Sequence, residues 1–266
     1  MPLAFTILGC GSSGGVPRVG QGWGACDPEN PKNRRRRCSL LVEKTAGAGR
    51  TTVLVDTSPD LREQLLDAGV NRLDGVIFTH EHADHTHGID DLRPLAIVQR
   101  QRIDIYADLR TSEFLHRRFS YCFKTPEGSE YPPILKEHRI EAGKPAKIEG
   151  AGGAVETLPF ELRHGHAPAL GLRFGGLAYT PDVSSVPDES LEALQRLDVW
   201  IIDALRQRPH PSHFTVEEAL EWIARMRPRR AILTNLHTDL DYETLRHTLP
   251  PHVEPAYDGM RIEVRE

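Results

Sequence analysis

Six short apolar runs along the chain have the length and composition of buried β-strands. Each run is rich in Val, Ile, Leu or Phe and is bounded by polar or turn-forming residues, which is typical of strands inside a packed sheet. The runs occupy residues 5–8, 53–55, 76–79, 177–180, 199–202 and 231–234. The pattern therefore predicts a layered fold that contains both strands and helices.

Two helices are predicted from the signals at their ends. The first opens at Ser58, which a proline follows, and it stops at Gly69 after leucines at helical spacing. The second opens with a capping box formed by Thr215 and Glu218 and ends before Pro228. Since the chain shows no internal repeat, we predict a single domain over residues 1–266, with a middle segment at 125–153 that is rich in Pro, Gly, Lys and Glu.

Most of the predicted strands are followed, within a few residues, by a side chain that could bind a metal. In layered α/β folds the carboxyl ends of strands gather at one edge of the molecule, and binding sites form there. We therefore predict a single site at that edge. The residues that follow the strands are Asp56, His80, Asp182, Asp203 and His237.

The densest cluster of candidate ligands is the segment 80–85, with the sequence HEHADH. His80, His82, Asp84 and His85 lie in a tight turn directly after a predicted strand. Imidazole nitrogen suits zinc, iron or manganese, and a carboxylate supplies the negative charge that holds a second divalent ion. The alternative is a solvated polar loop, but an ordinary loop does not need three histidines at this density. The identity of the metal stays open, because mixed imidazole and carboxylate sites accept all three ions.

A two-metal centre needs further ligands from distant parts of the chain. His164 and His166 would share one face of a strand, and either could bind. Asp182 follows a proline and could be an ordinary turn residue. His237 at a strand end is about as often structural as functional. Their joint occurrence with the segment 80–85 favours the metal-binding interpretation for all of them.

The motif H-x-H-x-D-H, followed by a distant histidine, an aspartate and a last histidine, resembles the metallo-β-lactamase superfamily. The Gly-rich opening at 8–17 and the segments 55–57 and 257–260 look like its phosphodiesterase branch. That branch includes a carbon-phosphorus lyase accessory enzyme that opens a ribosyl cyclic phosphate. The resemblance implies an αββα four-layer sandwich, with two mixed β-sheets face to face, helices outside and the metals at one edge.

The resemblance also implies roles for individual residues and two divalent metal ions per chain. His164 is preferred to His166, and Asp56 would orient a ligand histidine through its free ring nitrogen. We take Asp84, Asp182 and His213 as the catalytic residues. One metal would be held by His80, His82 and His164, the second by Asp84, His85 and His237, and Asp182 would bridge the two.

His213 lies just before the helix capped by Thr215. Near a helix N-terminus it could meet a substrate phosphate and donate a proton to the leaving oxygen. The alternative is a surface histidine that serves only the start of the helix, and His210 is a weaker candidate for the same role.

The cysteines and the net charge restrict the possible structural metal sites, the cellular location and the binding partners. The carbon-phosphorus lyase accessory enzyme that the chain resembles carries a structural zinc on closely spaced cysteines, but here Cys26 stands alone and Leu240 stands at the position of the last ligand, so we predict no structural zinc. The four cysteines are widely spaced and the first apolar run is too short for a signal peptide or membrane span, so we expect a cytoplasmic protein. A net charge of −5 argues against extended nucleic acid as a partner.

Two further motifs are set aside. The segment 9–14 fits G-x-G-x-x-G, but the residues after it cannot form the helix that a dinucleotide site requires. The four arginines at 34–37 are interpreted first as a solvated patch. The alternatives are an anion-contacting loop near the site and, as a minor possibility, an RNA contact.

The sequence as a whole predicts a binuclear metal-dependent phosphodiesterase that acts on a small cyclic or nucleotide-like phosphodiester. The resemblance favours a homodimer. The first alternative is a thioester or other acyl hydrolase on the same fold, since the fold alone does not determine the scissile bond. The second is a metal- or nucleotide-binding protein without turnover, and the third is a tRNA-processing nuclease, for which no protruding RNA-binding arm is evident.

Overall fold

The computed structural model describes residues 2–265 and contains two mixed β-sheets of seven strands each. The first sheet, in spatial order, consists of β14 (Met260–Arg265), β1 (Pro2–Gly9), β2 (Ser39–Ala46), β3 (Gly49–Val55), β4 (Gly75–Ile77), β5 (Ile103–Ala107) and β6 (Leu135–Arg139). The second consists of β13 (Val253–Pro255), β12 (Arg230–Thr234), β11 (Val199–Asp203), β10 (Leu177–Thr180), β9 (Ala167–Phe174), β8 (Val155–His164) and β7 (Ala146–Ile148).

Helices cover the outer faces of both sheets. The α-helices are α1 (Leu61–Asp67), α2 (Ala83–Thr86), α3 (Arg93–Gln99), α4 (Leu109–Arg118), α5 (Ser120–Phe123), α6 (Val216–Met226) and α7 (Tyr242–Thr248). Short 3-10 helices lie at Pro31–Asn33, Ile89–Leu92 and Asp188–Leu194. Within residues 2–265, none of the helices is long and apolar enough to cross a membrane.

Successive side chains along each strand alternate between the two faces of its sheet, and the apolar ones form three layers, one between the sheets and one on the outer face of each. In β2, Leu40 and Val42 belong to the cluster between the sheets, whereas Leu41 belongs to the cluster beneath α1, α3 and α4. In β11, Ile201 faces the central cluster and Trp200 faces the cluster under α6 and α7. Successive side chains of a strand point to opposite faces, so each sheet is buried on both sides. The result is the αββα sandwich that the resemblance implies.

The predicted elements are confirmed, except for the start of one helix. The six predicted strands correspond to β1, β3, β4, β10, β11 and β12, and α6 opens with the reciprocal capping box of Thr215 and Glu218. The predicted start of α1 at Ser58 is wrong, because the N-cap is Asp60. The Ser58 hydroxyl instead bonds to the side chain of Gln64 and accepts from the Asp60 amide, which holds Ser58 in the turn before the helix.

Parallel strand pairing brings the carboxyl ends of five strands to one edge of the sandwich. In the first sheet β3 pairs with β4 in parallel, and in the second β10, β11 and β12 run parallel to one another. Asp56, His80 and Asp182 follow β3, β4 and β10 closely, and Asp203 ends β11. The topology therefore collects these side chains where the two sheets meet, as predicted from the sequence.

Candidate metal centre

Four imidazole and carboxylate side chains form the first donor group of the centre. His80 Nε2 and His164 Nε2 each lie 3.1 Å from His82 Nδ1. Asp182 Oδ2 completes the group at 3.6 Å from His80 Nε2 and 3.5 Å from His164 Nε2. These four donor atoms converge on one point, and only His82 among the four residues is exposed to solvent.

The second donor group shares Asp182 with the first. His85 Nε2 lies 3.2 Å from Asp182 Oδ1 and 3.6 Å from Asp84 Oδ2. Asp182 therefore turns one carboxylate oxygen toward each group. A carboxylate in this position can bridge two cations, as the resemblance implies.

The spacing of the donors fits a divalent metal. Bonds of about 2.0–2.1 Å to nitrogen and oxygen place tetrahedral ligands about 3.4 Å apart. The donor separations given above are 3.1 to 3.6 Å, and all donor atoms of a group lie within 4.8 Å of one another. His85 Nε2 is buried and has no hydrogen-bond partner. An unpartnered buried nitrogen beside two carboxylates costs free energy that a bound cation would recover.

Asp56 fixes the orientation of two of the histidines, which confirms its predicted supporting position. Its carboxylate accepts hydrogen bonds from His85 Nδ1 at 2.7 Å and from the Thr79 amide and hydroxyl at 2.8 Å. Thr79 Oγ1 in turn accepts from His80 Nδ1 at 3.0 Å. Both rings therefore carry their proton on Nδ1 and direct Nε2 into the centre. Asp56 itself has a left-handed backbone, with φ of 62°.

His164, and not His166, contributes to the first donor group. His164 is buried at the end of β8, and its Nδ1 donates to the Ser212 carbonyl at 2.6 Å, so Nε2 is free toward the other donors. His166 lies beyond the turn at Gly165 and is exposed. The two residues share a strand face in the sequence pattern, but β8 ends at His164.

The protonation states follow from burial and from neighbouring charges. Burial lowers the pKa of His80 well below its ordinary value, and the neighbouring His85 lowers it further. Burial also lowers the pKa of His164. Both rings are therefore neutral, as metal ligands must be. Burial alone would raise the pKa of Asp182, but His85, His213 and His80 together outweigh it and hold the pKa of the carboxyl well below its usual range.

The structure does not bring His237 into either donor group. Its Nε2 accepts a hydrogen bond from the Arg18 guanidinium, and its Nδ1 lies 3.1 Å from Asp239 Oδ1. The backbone amide of His237 bonds to the Leu205 carbonyl at 3.0 Å. Both ring nitrogens thus have partners outside the centre, and a ligand role for His237 stays a prediction.

Asn235 lies beside the Asp182 carboxylate, and no role was predicted for it from the sequence. Its side-chain nitrogen Nδ2 donates to Asp182 Oδ1 at 3.1 Å and to the Pro181 carbonyl at 3.0 Å. Asn235 has a φ of 62°, a backbone conformation that asparagine adopts more readily than most residues. The sequence signal that could have indicated this role is an asparagine that stands directly after a strand and two residues before a histidine.

A second aspartate-histidine pair lies beside the first donor group. His213 Nδ1 donates to Asp203 Oδ2 at 2.8 Å, and the His213 ring lies 4.6 Å from the His164 ring. Burial would lower the pKa of His213, but the Asp203 carboxylate outweighs it and raises the pKa to about 9. The predicted site residue His213 therefore lies at the centre and carries a proton at neutral pH. Asp203 was noted only as a residue after a strand, and its pairing with His213 was missed.

The arginine segment 34–37 is not the solvated patch favoured from the sequence. Arg35 is buried, with 1% of its surface exposed. Its guanidinium donates to Asn33 Oδ1 at 3.1 Å and to the His237 carbonyl at 3.4 Å. Arg36 pairs with Asp67, and Arg37 with Asp60. The Gly11 and Val16 amides of the Gly-rich opening donate to the Arg36 and Arg35 carbonyls, at 2.7 and 2.8 Å. The segment therefore connects the Gly-rich opening to the rest of the fold.

We expect Arg35→Ala to lower the free energy of unfolding by about 2–4 kcal/mol, because it removes the hydrogen bonds to Asn33, His237 and Cys26 and leaves a cavity. Urea denaturation measures this change. Arg34→Ala is the matched control, since Arg34 is exposed and should shift stability by less than about 0.5 kcal/mol. Equal unfolding midpoints for the two variants would contradict the structural role of Arg35.

Comparison with known families agrees with this geometry. The family described as "Beta-lactamase superfamily domain" matches residues 51–235. The chain belongs to this superfamily. A crystal structure described as a new diphosphatase from the PhnP family is 34% identical, with a TM-score of 0.88, and the match covers 99% of this chain and 98% of that one. The predicted superfamily, its PhnP-like branch and the αββα fold are therefore confirmed.

Two further comparisons differ in what they support, because a structure under 25% identical shows a shared fold alone. Zinc-bound PqqB from Methylobacterium extorquens is 17% identical with a TM-score of 0.75, over 97% of this chain and 99% of that one. A curated protein of Porphyromonas gingivalis named octanoyltransferase is 36% identical over 265 residues, which is 98% of this chain but 51% of that protein. The chain spans about half the length of the curated relatives it matches.

Proposed function

We propose that this member of the superfamily is a metal-dependent phosphodiesterase that holds two divalent ions and hydrolyses a small cyclic or nucleotide-like phosphodiester. The observation that carries the proposal is that Asp182 belongs to both donor groups, with His213 beside the first. Phosphodiester hydrolysis needs an activated water, neutralisation of the phosphoryl oxygens and a proton for the leaving oxygen. The centre offers residues for each requirement.

The donor groups determine where the ions would bind. His80, His82, His164 and Asp182 would hold one ion, and Asp84, His85 and Asp182 would hold the other. When bound, such ions lower the pKa of water and neutralise charge on the phosphoryl oxygens. The mixture of imidazole and carboxylate ligands suits manganese, zinc or iron.

His213 would supply the proton to the leaving oxygen. Its Nδ1 is engaged by Asp203, which fixes the ring and leaves Nε2 free. Asp203 is fully buried, and its hydrogen bond holds His213 in one orientation. A group that is protonated at neutral pH and fixed beside the metal ligands suits a general acid.

A diphosphate linkage is the second candidate substrate. The relative that is 34% identical is described as a diphosphatase. Attack at phosphorus would use the same donor groups, and the leaving group would be a phosphate instead of an alcohol. Acyl hydrolysis has weaker support, because the relative named octanoyltransferase matches this chain over only half of its length.

Hydrolysis of bis-p-nitrophenyl phosphate by the manganese-loaded protein tests the proposal. We expect release of p-nitrophenolate that depends on the metal and is lost in His82→Ala, because His82 Nδ1 is the shared contact of the first donor group. His87→Ala is the matched control, since His87 is exposed two residues after the segment 80–85 and lies outside both donor groups.

Three outcomes distinguish the candidates. Release by the wild type and by His87→Ala, but not by His82→Ala, supports a phosphodiesterase and justifies trials with cyclic ribose phosphates. Hydrolysis of a dinucleotide diphosphate but not of the diester would favour the diphosphate alternative. No release in a protein that binds the metal would contradict the proposal and leave thioester hydrolysis or ligand binding without turnover.

A further inference from the structure

The metal-binding segment 80–85 is held at both ends by buried hydrogen bonds. At its start, His80 Nδ1 donates to the Thr79 hydroxyl at 3.0 Å. At its end, His85 Nδ1 donates to Asp56 Oδ2 at 2.7 Å. The middle of the segment is a turn that is partly or fully exposed to solvent. The position of this turn therefore depends on contacts other than those two bonds.

His82, in this turn, lacks the outer hydrogen bond that orients the other histidines of the first donor group. His164, for comparison, donates from Nδ1 to the Ser212 carbonyl at 2.6 Å. His82 directs its own Nδ1 into the donor group, and its Nε2 has no hydrogen-bond partner among residues 2–265. Outer hydrogen bonds normally fix the ring of a metal-binding histidine. The orientation of His82 is therefore set by the backbone of the turn, where the Thr86 hydroxyl donates to the His82 carbonyl at 2.9 Å.

An ion pair between Glu81 and Arg110 connects the turn to the helix α4. Glu81 Oε1 accepts from Arg110 Nε at 2.7 Å, and Arg110 Nη2 lies 2.6 Å from the same oxygen. The Glu81 side chain is 13% exposed and the Arg110 side chain 52%. Arg110 belongs to the first turn of α4, where the Asp108 carboxylate caps the helix by accepting from the Thr111 amide at 2.8 Å. The pair therefore attaches the residue directly before His82 to a capped helix.

The pair is better suited to fixing local geometry than to stabilising the fold. An ion pair with a solvent-exposed partner contributes little to the free energy of unfolding. Glu81 Oε2 is buried and accepts no hydrogen bond, which costs free energy. Arg110 meanwhile contacts the other carboxylate oxygen through two nitrogens of one rigid, planar group, so the contact fixes direction as well as distance. The pair consequently restrains the backbone on which the orientation of His82 depends.

We propose that the Glu81–Arg110 pair positions His82 as a metal ligand and so increases the affinity of the first donor group for its ion. The proposal rests on the proposed function only in that a divalent ion binds there. Glu81 and Arg110 are positioning residues, because neither contributes a donor atom to either group. The second donor group does not depend on the pair, since its His85 is held by Asp56. Loss of the pair therefore weakens one ion and not the other.

Calorimetric titration of the metal-free protein with manganese measures the affinity of each ion without any need for turnover. We expect Arg110→Ala to weaken one of the two binding steps by about ten- to a hundred-fold, which is typical when the support of a metal ligand is lost. The other step should keep its wild-type affinity. Arg117→Ala is the matched control, because Arg117 is an exposed arginine later on α4, and it should retain both affinities. Arg110→Lys keeps the charge and should recover part of the loss.

The spectrum of the cobalt-loaded protein gives a readout that a change in folding stability alone does not move. The visible absorption bands of bound cobalt(II) change when an imidazole leaves the ion, because they depend on the ligands and their geometry. Arg110→Ala should therefore alter these bands, and the Arg117→Ala control should not. An unaltered spectrum in Arg110→Ala would show that His82 keeps its place without the pair, which would overturn the proposal.

A double-mutant cycle with Glu81→Gln separates this proposal from the proposed function. Because both substitutions break the same pair, the double variant should lose no more affinity than Arg110→Ala alone. Additive losses, equal weakening of both ions, or unchanged affinities in Arg110→Ala would each overturn the positioning role, even in a protein that hydrolyses the diester. A loss that is confined to one ion and shared by the two substitutions would uphold the role, even in a protein without phosphodiesterase activity.

Discussion

Replacement of Asp182 by asparagine is expected to remove metal from both donor groups and to lower turnover by about a thousand-fold or more. Asp182 contributes one carboxylate oxygen to each group, so its loss affects both ions at once. Metal ions contribute several kcal/mol to stabilisation of charge in such transition states, and each 1.36 kcal/mol corresponds to a factor of about ten in rate. Asparagine keeps the shape of the side chain but removes its negative charge.

Elemental analysis and bis-p-nitrophenyl phosphate hydrolysis together measure this effect. Asp188→Asn is the matched control, because Asp188 is an exposed aspartate a short distance along the chain. Circular dichroism establishes that both variants are folded. A variant at Asp182 that retains the wild-type metal content and rate would show that Asp182 does not bridge the ions.

The sequence predicted those parts of the site that depend on strand ends and on a dense local motif. Buried strands are visible as apolar runs, and parallel pairing collects their carboxyl ends. His80 and His82 could be predicted because the segment 80–85 contains more imidazoles than a solvated loop requires. For these residues, the pattern in the sequence and the positions of the side chains in the fold agree.

Residues whose roles depend on distant partners could not be predicted in the same way. The burial of Arg35 arises from an acceptor at His237, more than 200 positions away in the sequence. The role of Asn235 depends on the position of Asp182, which follows β10, whereas Asn235 follows β12 on the far side of β11. A run of four arginines or a single asparagine gives no local sign of such contacts. Sequence patterns report which residues can form strands and ligands, but not which side chains meet.

Replacement of His213 by glutamine should lower turnover while the metal content stays at the wild-type level. Glutamine retains an N–H donor for Asp203 but cannot transfer a proton at neutral pH, so the buried carboxylate keeps a partner. General acid catalysis contributes about 10²–10⁴-fold to rate, and we expect a loss of that size for substrates with alcohol leaving groups. His138→Gln is the matched control, because His138 on β6 forms a similar pair with Asp104 on β5, outside both donor groups.

The dependence on the leaving group distinguishes proton donation from simple contact with the phosphate. p-Nitrophenolate departs without a proton, so the loss in His213→Gln should be small for bis-p-nitrophenyl phosphate and large for a diester with an alkyl alcohol as leaving group. A loss of equal size for both substrates would show that His213 binds the phosphate instead of donating the proton. Loss of metal in the variant would place His213 among the groups that support the ligands, since its ring packs against that of His164.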